Sequence, residues 1–374
     1  MRFSKIVSAL ALSGVVATSL LAADTVKIGV QAPITGKYAN EGQSIDNFVR
    51  LIVDEKNAQG GLLGKKIEVI TCDDEAKAQK AAVCAKKLTN AGVMAVIGSY
   101  TSGATEAAQT TYYRKGVLQT SDGTSDSLIK RKYWTFFRNS FPNSSQSDFT
   151  AEYFVNVKKY QRIVVLSDYS SYSAGLGDAT EKSTKKLGGN VIFRGKIKSG
   201  TQNFTAVLTK IKAMNPDVIY YSGYYTDGGL LRAQQIQLGI NADFVGGDSN
   251  DNPDFYKLAG KASAGTVLIN FPTPEILPYK EAKKYLAAYK ERFKIDPPSI
   301  WPVTNADGLR AIIEAAEKTN SLDTKTISTY IRKDMKDFPG ITGPFNIRKD
   351  GERVGAKFVV YKLDNDGTKS VVSE

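Results

Sequence analysis

Short β-branched and apolar runs alternate with segments of helical periodicity along almost the whole chain, and this alternation fixes the class of fold. Residues 26–33 (VKIGVQAP) read as a strand. Residues 43–57 carry Ile45, Phe48, Val49, Ile52 and Val53 at helical spacing, and Gly60-Gly61 stops that segment. A strand at 65–71, a helix at 78–88, a strand at 93–98, a helix opening in GSYTSGATEAAQ (98–109) and a short strand at 116–120 follow. The pattern restarts at 162, with strands at 162–168, 190–197, 217–223, 244–248 and 265–271 and helices at 174–189, 203–216 and 227–239 between them. Helical patterns at 278–293, 305–318 and 325–336 and short strands near 343–347 and 356–363 complete the chain. Two successive βαβ series predict an α/β protein with two parallel sheets, each flanked by helices. Ligands of such sheets sit beyond the carboxyl ends of the strands. The loops at 98–109, 167–173, 222–229 and 246–253 all occupy that position, which predicts one site between two lobes.

A chain of 374 residues is long enough for two cores. Residues 1–23 stand apart: Arg2 and Lys5, an apolar stretch and small residues at its end read as a secretory signal peptide. Removing Arg2 and Lys5 takes the formal charge from +12 to +10. The lysines fall in scattered pairs, such as Lys65-Lys66 and Lys283-Lys284, which is the pattern of a solvated surface and not of a nucleic-acid site. The chain has no histidine, which removes Ser-His-Asp and Cys-His catalysis and histidine-ligated zinc. The two cysteines, Cys72 at the end of a predicted strand and Cys84 on the next helix, form a disulfide if that helix packs back on the sheet.

Several motifs fail on inspection. GGLLGKK (60–66) has the wrong glycine spacing for a phosphate loop and lacks the following Ser/Thr. DSNDNPD (248–254) has Pro253 where a calcium loop needs its turn glycine, and Ala259 where it needs glutamate. No GxGxxG opens a helix after a strand. No cofactor is implied.

An ordered series of segments covers nearly the whole chain after residue 24: VKIGVQAPITGKYANEGQS, AQGGLLGKKIEVITCDDEAKAQKAAVCAKKL, VMAVIGSYTSGAT, GVLQTSDGTSDSL, RIVVLSDYSSYSAGL, DVIYYSGYYTDGG and ITGPFNIRKDG. It resembles the periplasmic solute-binding proteins of branched-chain amino acid ABC transporters. The resemblance implies a type I periplasmic binding fold of two Rossmann-like lobes joined by three crossovers, with residues 24–143 and 271–345 in one lobe and 144–270 and 346–374 in the other. It implies a non-enzymatic periplasmic receptor that captures an amino acid between the lobes and delivers it to a membrane permease. An amide, a urea-like compound or a small carboxylate would suit the same fold, as would a role in signalling.

The matching motif positions supply candidate contacts. Ser102, Gly123 and Ser125 stand where the family holds the ligand carboxylate; Asp248 and Tyr224 stand where it holds the ammonium, and Tyr172 matches a pocket wall. Ser102 also suits a plain helix cap, Ser125 and Asp248 suit turns, Tyr224 suits a packed ring and Tyr172 a surface aromatic. Tyr100, Thr101, Thr124 and Glu41 fall on side-chain pocket positions, with Tyr38 as an alternative aromatic wall. A buried carboxylate is costly unless paired, so Glu41 either faces solvent at the cleft mouth or meets a polar or cationic ligand, the former being the expectation.

Overall fold

The computed structural model describes residues 25–355, 357–365 and 367–373; the signal peptide expected at 1–23 lies outside the described residues. Two α/β lobes form as the alternation requires. In the first, β1 (Val26–Ala32), β2 (Ile67–Asp73), β3 (Ala95–Gly98), β4 (Leu118–Ser121) and β5 (Phe136–Arg138) make a parallel sheet in the order β2-β1-β3-β4-β5. Helices cover both faces of strand β1: α1 (Ala39–Ala58) and α11 (Trp301–Thr319) lie on the face of Val26, Ile28, Val30 and Ala32, and α2 (Ala78–Asn90) and α3 (Ser102–Lys115) on the face of Lys27, Gly29 and Gln31. Ile45, Phe48, Val49, Ile52 and Val53, read from their spacing, are the buried stripe of α1. Gly42 allows that helix to lie against the strand end, since a Cβ there would sit 2.1 Å from the Pro33 carbonyl oxygen.

The second sheet runs β7-β6-β8-β9-β10 in parallel, from β6 (Ile163–Ser167), β7 (Val191–Lys196), β8 (Val218–Tyr221), β9 (Asp243–Gly246) and β10 (Val267–Asn270). Antiparallel β14 (Val359–Leu363) and β15 (Lys369–Ser373) extend it beyond β10. A small antiparallel sheet of β11 (Phe338–Gly340), β12 (Gly343–Ile347) and β13 (Arg353–Val354) lies apart from both. Cys72 and Cys84 form a disulfide with Cα atoms 5.6 Å apart, because α2 packs back on β2.

Some elements differ from the sequence expectation. Strand β5 and helix α5 (Asn143–Glu152) fall in the stretch the alternation skips; α5 reads NSSQSDFTAE, with no apolar stripe, and is buried by packing on α6 (Ser171–Lys186). Helix α11 starts at Trp301 and not at 305, with Pro302 in its first turn, where a missing N–H costs nothing.

The chain passes between the sheets three times: after β5, after β10 and before β14. One phenylalanine sits on each passage. Phe141 lies 4.2 Å from Phe271 and 4.6 Å from Phe358 between ring centroids, and 5.6 Å from Trp301. All three phenylalanines are buried. The crossovers are thus packed on one another through rings, which ties both lobes to one hinge. Phe141→Ala is expected to lower the unfolding free energy by about 3–5 kcal/mol, and Phe141→Leu by less, as read from urea denaturation.

Candidate functional site

The carboxyl ends of both sheets face a small cavity between the lobes, lined by Tyr100, Ser102, Asp122, Thr124, Tyr172, Tyr224, Asp248, Ser249 and Trp301. All nine are buried. Each comes from the segment after a strand or from a helix start. Tyr100 and Ser102 lie between β3 and α3, and Asp122 and Thr124 follow β4. Tyr172 is in the first turn of α6, and Tyr224 caps α8 (Tyr225–Gln237). Asp248 and Ser249 form the short turn after β9, and Trp301 opens α11.

The two walls differ chemically. On the first, Thr101 is the N-cap of α3 but makes no side-chain capping bond, so no side chain closes the start of that helix. Ser102 is the first helical residue, and its hydroxyl accepts the Ser125 N–H at 3.2 Å in place of capping its own helix. That leaves the hydroxyl proton and the amide end of the helix dipole available to an anion. The hydroxyls of Tyr100, Thr101 and Thr124 are buried without partners. On the second wall, Asp248 accepts a hydrogen bond from Tyr172 Oη at 2.7 Å and a longer one from Ser249 Oγ at 3.3 Å. Burial pushes its carboxyl up to about 6 against the pull of those donors. The Tyr224 ring packs 4.9 Å from Tyr172, 6.0 Å from Tyr100 and 4.8 Å from Tyr38, so Tyr224 is both cavity wall and packed ring.

Six of the ten residues expected from the sequence thus line the cavity: Tyr100, Ser102, Thr124, Tyr172, Tyr224 and Asp248. The other four, Gly123, Ser125, Thr101 and Glu41, are not among its lining residues. Gly123 donates its N–H to Ser121 Oγ at 2.9 Å, and the Ser125 hydroxyl bonds to Ser127 at 2.9 Å and Ser171 at 3.2 Å. Thr101 supports the turn into α3.

Glu41 corrects an expectation. It does not face solvent: it is 1 % exposed, accepting from Asn252 Nδ2 at 2.7 Å and Ser299 Oγ at 2.8 Å. Asn252 belongs to the second lobe, where it caps α9 (Pro253–Ala259), so Glu41 fastens one lobe to the other. Around it, Asn40 Nδ2 donates to Asn252 Oδ1 at 3.2 Å and to Asp254 at 3.0 Å, and Tyr225 Oη donates to Asn40 Oδ1 at 2.7 Å. On the opposite rim Ser171 Oγ bonds to Glu106 at 3.3 Å and to Ser125. The lobes are held shut on both sides of the cavity.

Sequence reasoning missed Asp122, Ser249 and Trp301. Asp122 sits inside the quoted SDGTSDS, and a carboxylate at a strand end was its available signal; Trp301 is brought in by a helix whose start the apolar pattern did not mark. Also missed was Arg138, fully buried behind the 123–125 loop. Its Nε donates to Glu352 at 2.6 Å, its Nη2 to the Ser125 carbonyl at 2.9 Å and its Nη1 to the Gly123 carbonyl.

Two α/β lobes shut over a small buried polar cavity define a solute-binding receptor. The family described as "Periplasmic binding protein" matches residues 25–368. The chain is 29 % identical over 347 residues to the Leu/Ile/Val-binding protein BraC3 of Rhizobium johnstonii, covering 92 % of this chain and 93 % of that one. It superposes on a leucine-binding protein of Thermotoga maritima with a TM-score of 0.86 at 27 % identity, covering 93 % of this chain and 98 % of the other. The branched-chain amino acid transporter substrate-binding protein of Streptococcus pneumoniae, solved with isoleucine, gives 0.83 at 28 % identity, with 94 % and 100 % covered. The chain belongs to the periplasmic binding protein family.

Glu41 makes the closed form sensitive to pH. Burial raises its carboxyl from 4.5 to about 7, opposed by the Ser299 and Asn252 hydrogen bonds. The stability that neutral Glu41 confers is therefore complete below pH 4.5 and is lost as pH rises through 7. Glu41→Gln keeps the shape and stays neutral. Relative to the native chain, its stability is expected to rise by up to about 3 kcal/mol between pH 4.5 and 8, measured by urea unfolding at each pH.

Proposed function

We propose that the chain is the exported, periplasmic receptor of an ABC importer, capturing an α-amino acid between its lobes and presenting it to a membrane permease. Residues 24–143 with 271–345 would move as one lobe and 144–270 with 346–374 as the other, the β12–β13 hairpin straddling the division. The observation that carries the reading is the placement of Ser102, at an uncapped helix start, and Asp248, a buried carboxyl, on opposite walls of one small cavity. A zwitterion satisfies both: its carboxylate meets the Ser102 hydroxyl and the α3 amides, and its ammonium meets Asp248 and the Tyr172 hydroxyl. The leucine and isoleucine named for similar proteins support an amino acid as the solute class. A receptor, and not an enzyme, also agrees with a chain that has no histidine.

Binding stabilises the closed state because only there do both walls reach the solute. The permease would read that closed surface.

A thermal-shift screen of the ligand-stripped protein against the common amino acids tests the reading, since bound ligand raises the melting temperature by mass action. At least one amino acid is expected to raise it, and small carboxylates without an amine are expected not to. Ser102→Ala and Asp248→Asn should each weaken that amino acid by roughly 10- to 100-fold in calorimetric titration, the range for one charge-assisted hydrogen bond. Equal stabilisation by amine-free carboxylates would remove the role given to Asp248, and unchanged affinity in Ser102→Ala would remove that of Ser102.

A further inference from the structure

The zwitterion accounts for Ser102 and Asp248 and leaves Asp122 over. The Asp122 carboxyl lines the cavity, is 2 % exposed, and neither of its oxygens has a close hydrogen-bond partner among the described residues. Its backbone is fixed: Ser140 Oγ donates to the Asp122 carbonyl at 2.8 Å, and the next amide, that of Gly123, is held by Ser121. The nearest donor is the Asn305 amide, which can offer Asp122 a neutral hydrogen bond but no charge. Asn305 donates its amide to the Trp301 carbonyl at 3.1 Å and accepts from Asn139 at 3.2 Å. The buried guanidinium behind the loop, Arg138, directs its donors to Glu352 and to the Gly123 and Ser125 carbonyls. Among the described residues no lysine or arginine lines the cavity.

A carboxyl sealed from water without a partner is costly, and the cost grows if the space beside it is filled by hydrocarbon. A leucine or isoleucine side chain would do that. A zwitterion brings one cationic group, which Asp248 takes, so satisfying Asp122 as well requires a second. The remaining lining favours it: Tyr100, Tyr172, Tyr224 and Trp301 are aromatic, and aromatic faces attract cations.

We propose that Asp122 is a specificity residue that pairs with a positively charged amine on the solute's side chain, so that this receptor takes small basic amino acids in preference to branched-chain ones. The inference rests on the amino-acid reading of the cavity. It agrees with the electrostatics of the site, where burial first, and then the neighbouring Glu41 and Asp248 carboxyls, push Asp122 well up against the opposing pull of Asn305, a cost that a bound cation reverses.

Calorimetric titration of the ligand-stripped protein at neutral pH tests it, with L-2,3-diaminopropionate, L-ornithine, L-lysine, L-leucine, L-isoleucine and 1,4-diaminobutane. At least one basic amino acid is expected to bind tenfold or more tightly than leucine and isoleucine. Asp122→Asn, which keeps the shape, and Asp122→Ala, which opens space, should each lose at least tenfold for that basic amino acid, and Asp122→Ala should gain for leucine. Melting curves establish that the variants fold, and Asp122→Asn carries the test if the alanine variant does not. Leucine or isoleucine binding as tightly as every basic amino acid would overturn the proposal and leave the amino-acid reading standing. So would unchanged basic amino-acid affinity in Asp122→Asn. Binding of the diamine alone, weakened in Asp122→Asn, would overturn the amino-acid reading yet uphold a cation at Asp122. Failure of all six to bind would overturn the proposal, and the amino-acid reading falls with it if the screen of the common amino acids also finds none.

Discussion

Three carboxyl groups are buried along the seam between two lobes, and the rest of the structure is arranged around what that requires. Glu41 is satisfied by Asn252 and Ser299, and Asp248 by Tyr172 and Ser249. Asp122 has no charged partner among the described residues, only the neutral amide of Asn305 beside it. Charges in a space sealed from water must be neutralised, hydrogen-bonded or matched from outside. The first two are met by the fold, partly through residues of the opposite lobe, so closure itself depends on them. The third is left for whatever the cavity holds.

Closure also needs a hinge that brings the two walls back to the same place. Phe141, Phe271 and Phe358 provide it by stacking the three crossovers on one another, with Trp301 extending the cluster to the cavity wall. Rings of this size are well packed only in one arrangement, and a packed core is bistable more readily than it is deformable. Polar clasps on the rims, Asn40 with Asn252 and Asp254 on one side and Ser171 with Glu106 and Ser125 on the other, exchange protein partners for water when the lobes part. Such bonds add little net free energy, so they register the lobes without locking them. In the receptor reading proposed above, the hydrophobic cluster would be the hinge and the solute would set the closed end point.

The first-lobe loop that carries Asp122 and Thr124 is held from behind and not from within the cavity. Arg138 grips two carbonyls of residues 123–125, and Glu352 grips Arg138 from the β12–β13 connection. Arg353 adds a bond of 2.6 Å to the Asn139 carbonyl. A loop bound through its carbonyls by a fixed guanidinium fork is pre-organised, so little ordering remains to be done when a ligand arrives.

What the sequence determined alone was everything carried by local periodicity. The β-branched runs at 26–33 and 162–168, the stripe Ile45, Phe48, Val49, Ile52 and Val53, and the placement of hydroxyls and Asp248 at strand ends were legible because burial imposes a period on each element by itself. Helix α5 and strand β5 were not, since neither has an apolar pattern of its own and both exist by virtue of what packs on them. The same division runs through the site. That Ser102, Tyr100, Thr124, Tyr172, Tyr224 and Asp248 come together at the strand ends, where they line one cavity, was legible from strand ends and from resemblance. That Glu41 is buried and not solvated, that Ser125 turns away, and that Asp122 and Trp301 turn in were decided only by tertiary structure. Which way a loop side chain points depends on contacts between residues far apart in the chain, such as Glu41 with Asn252 and Arg138 with Glu352, and no local pattern encodes them.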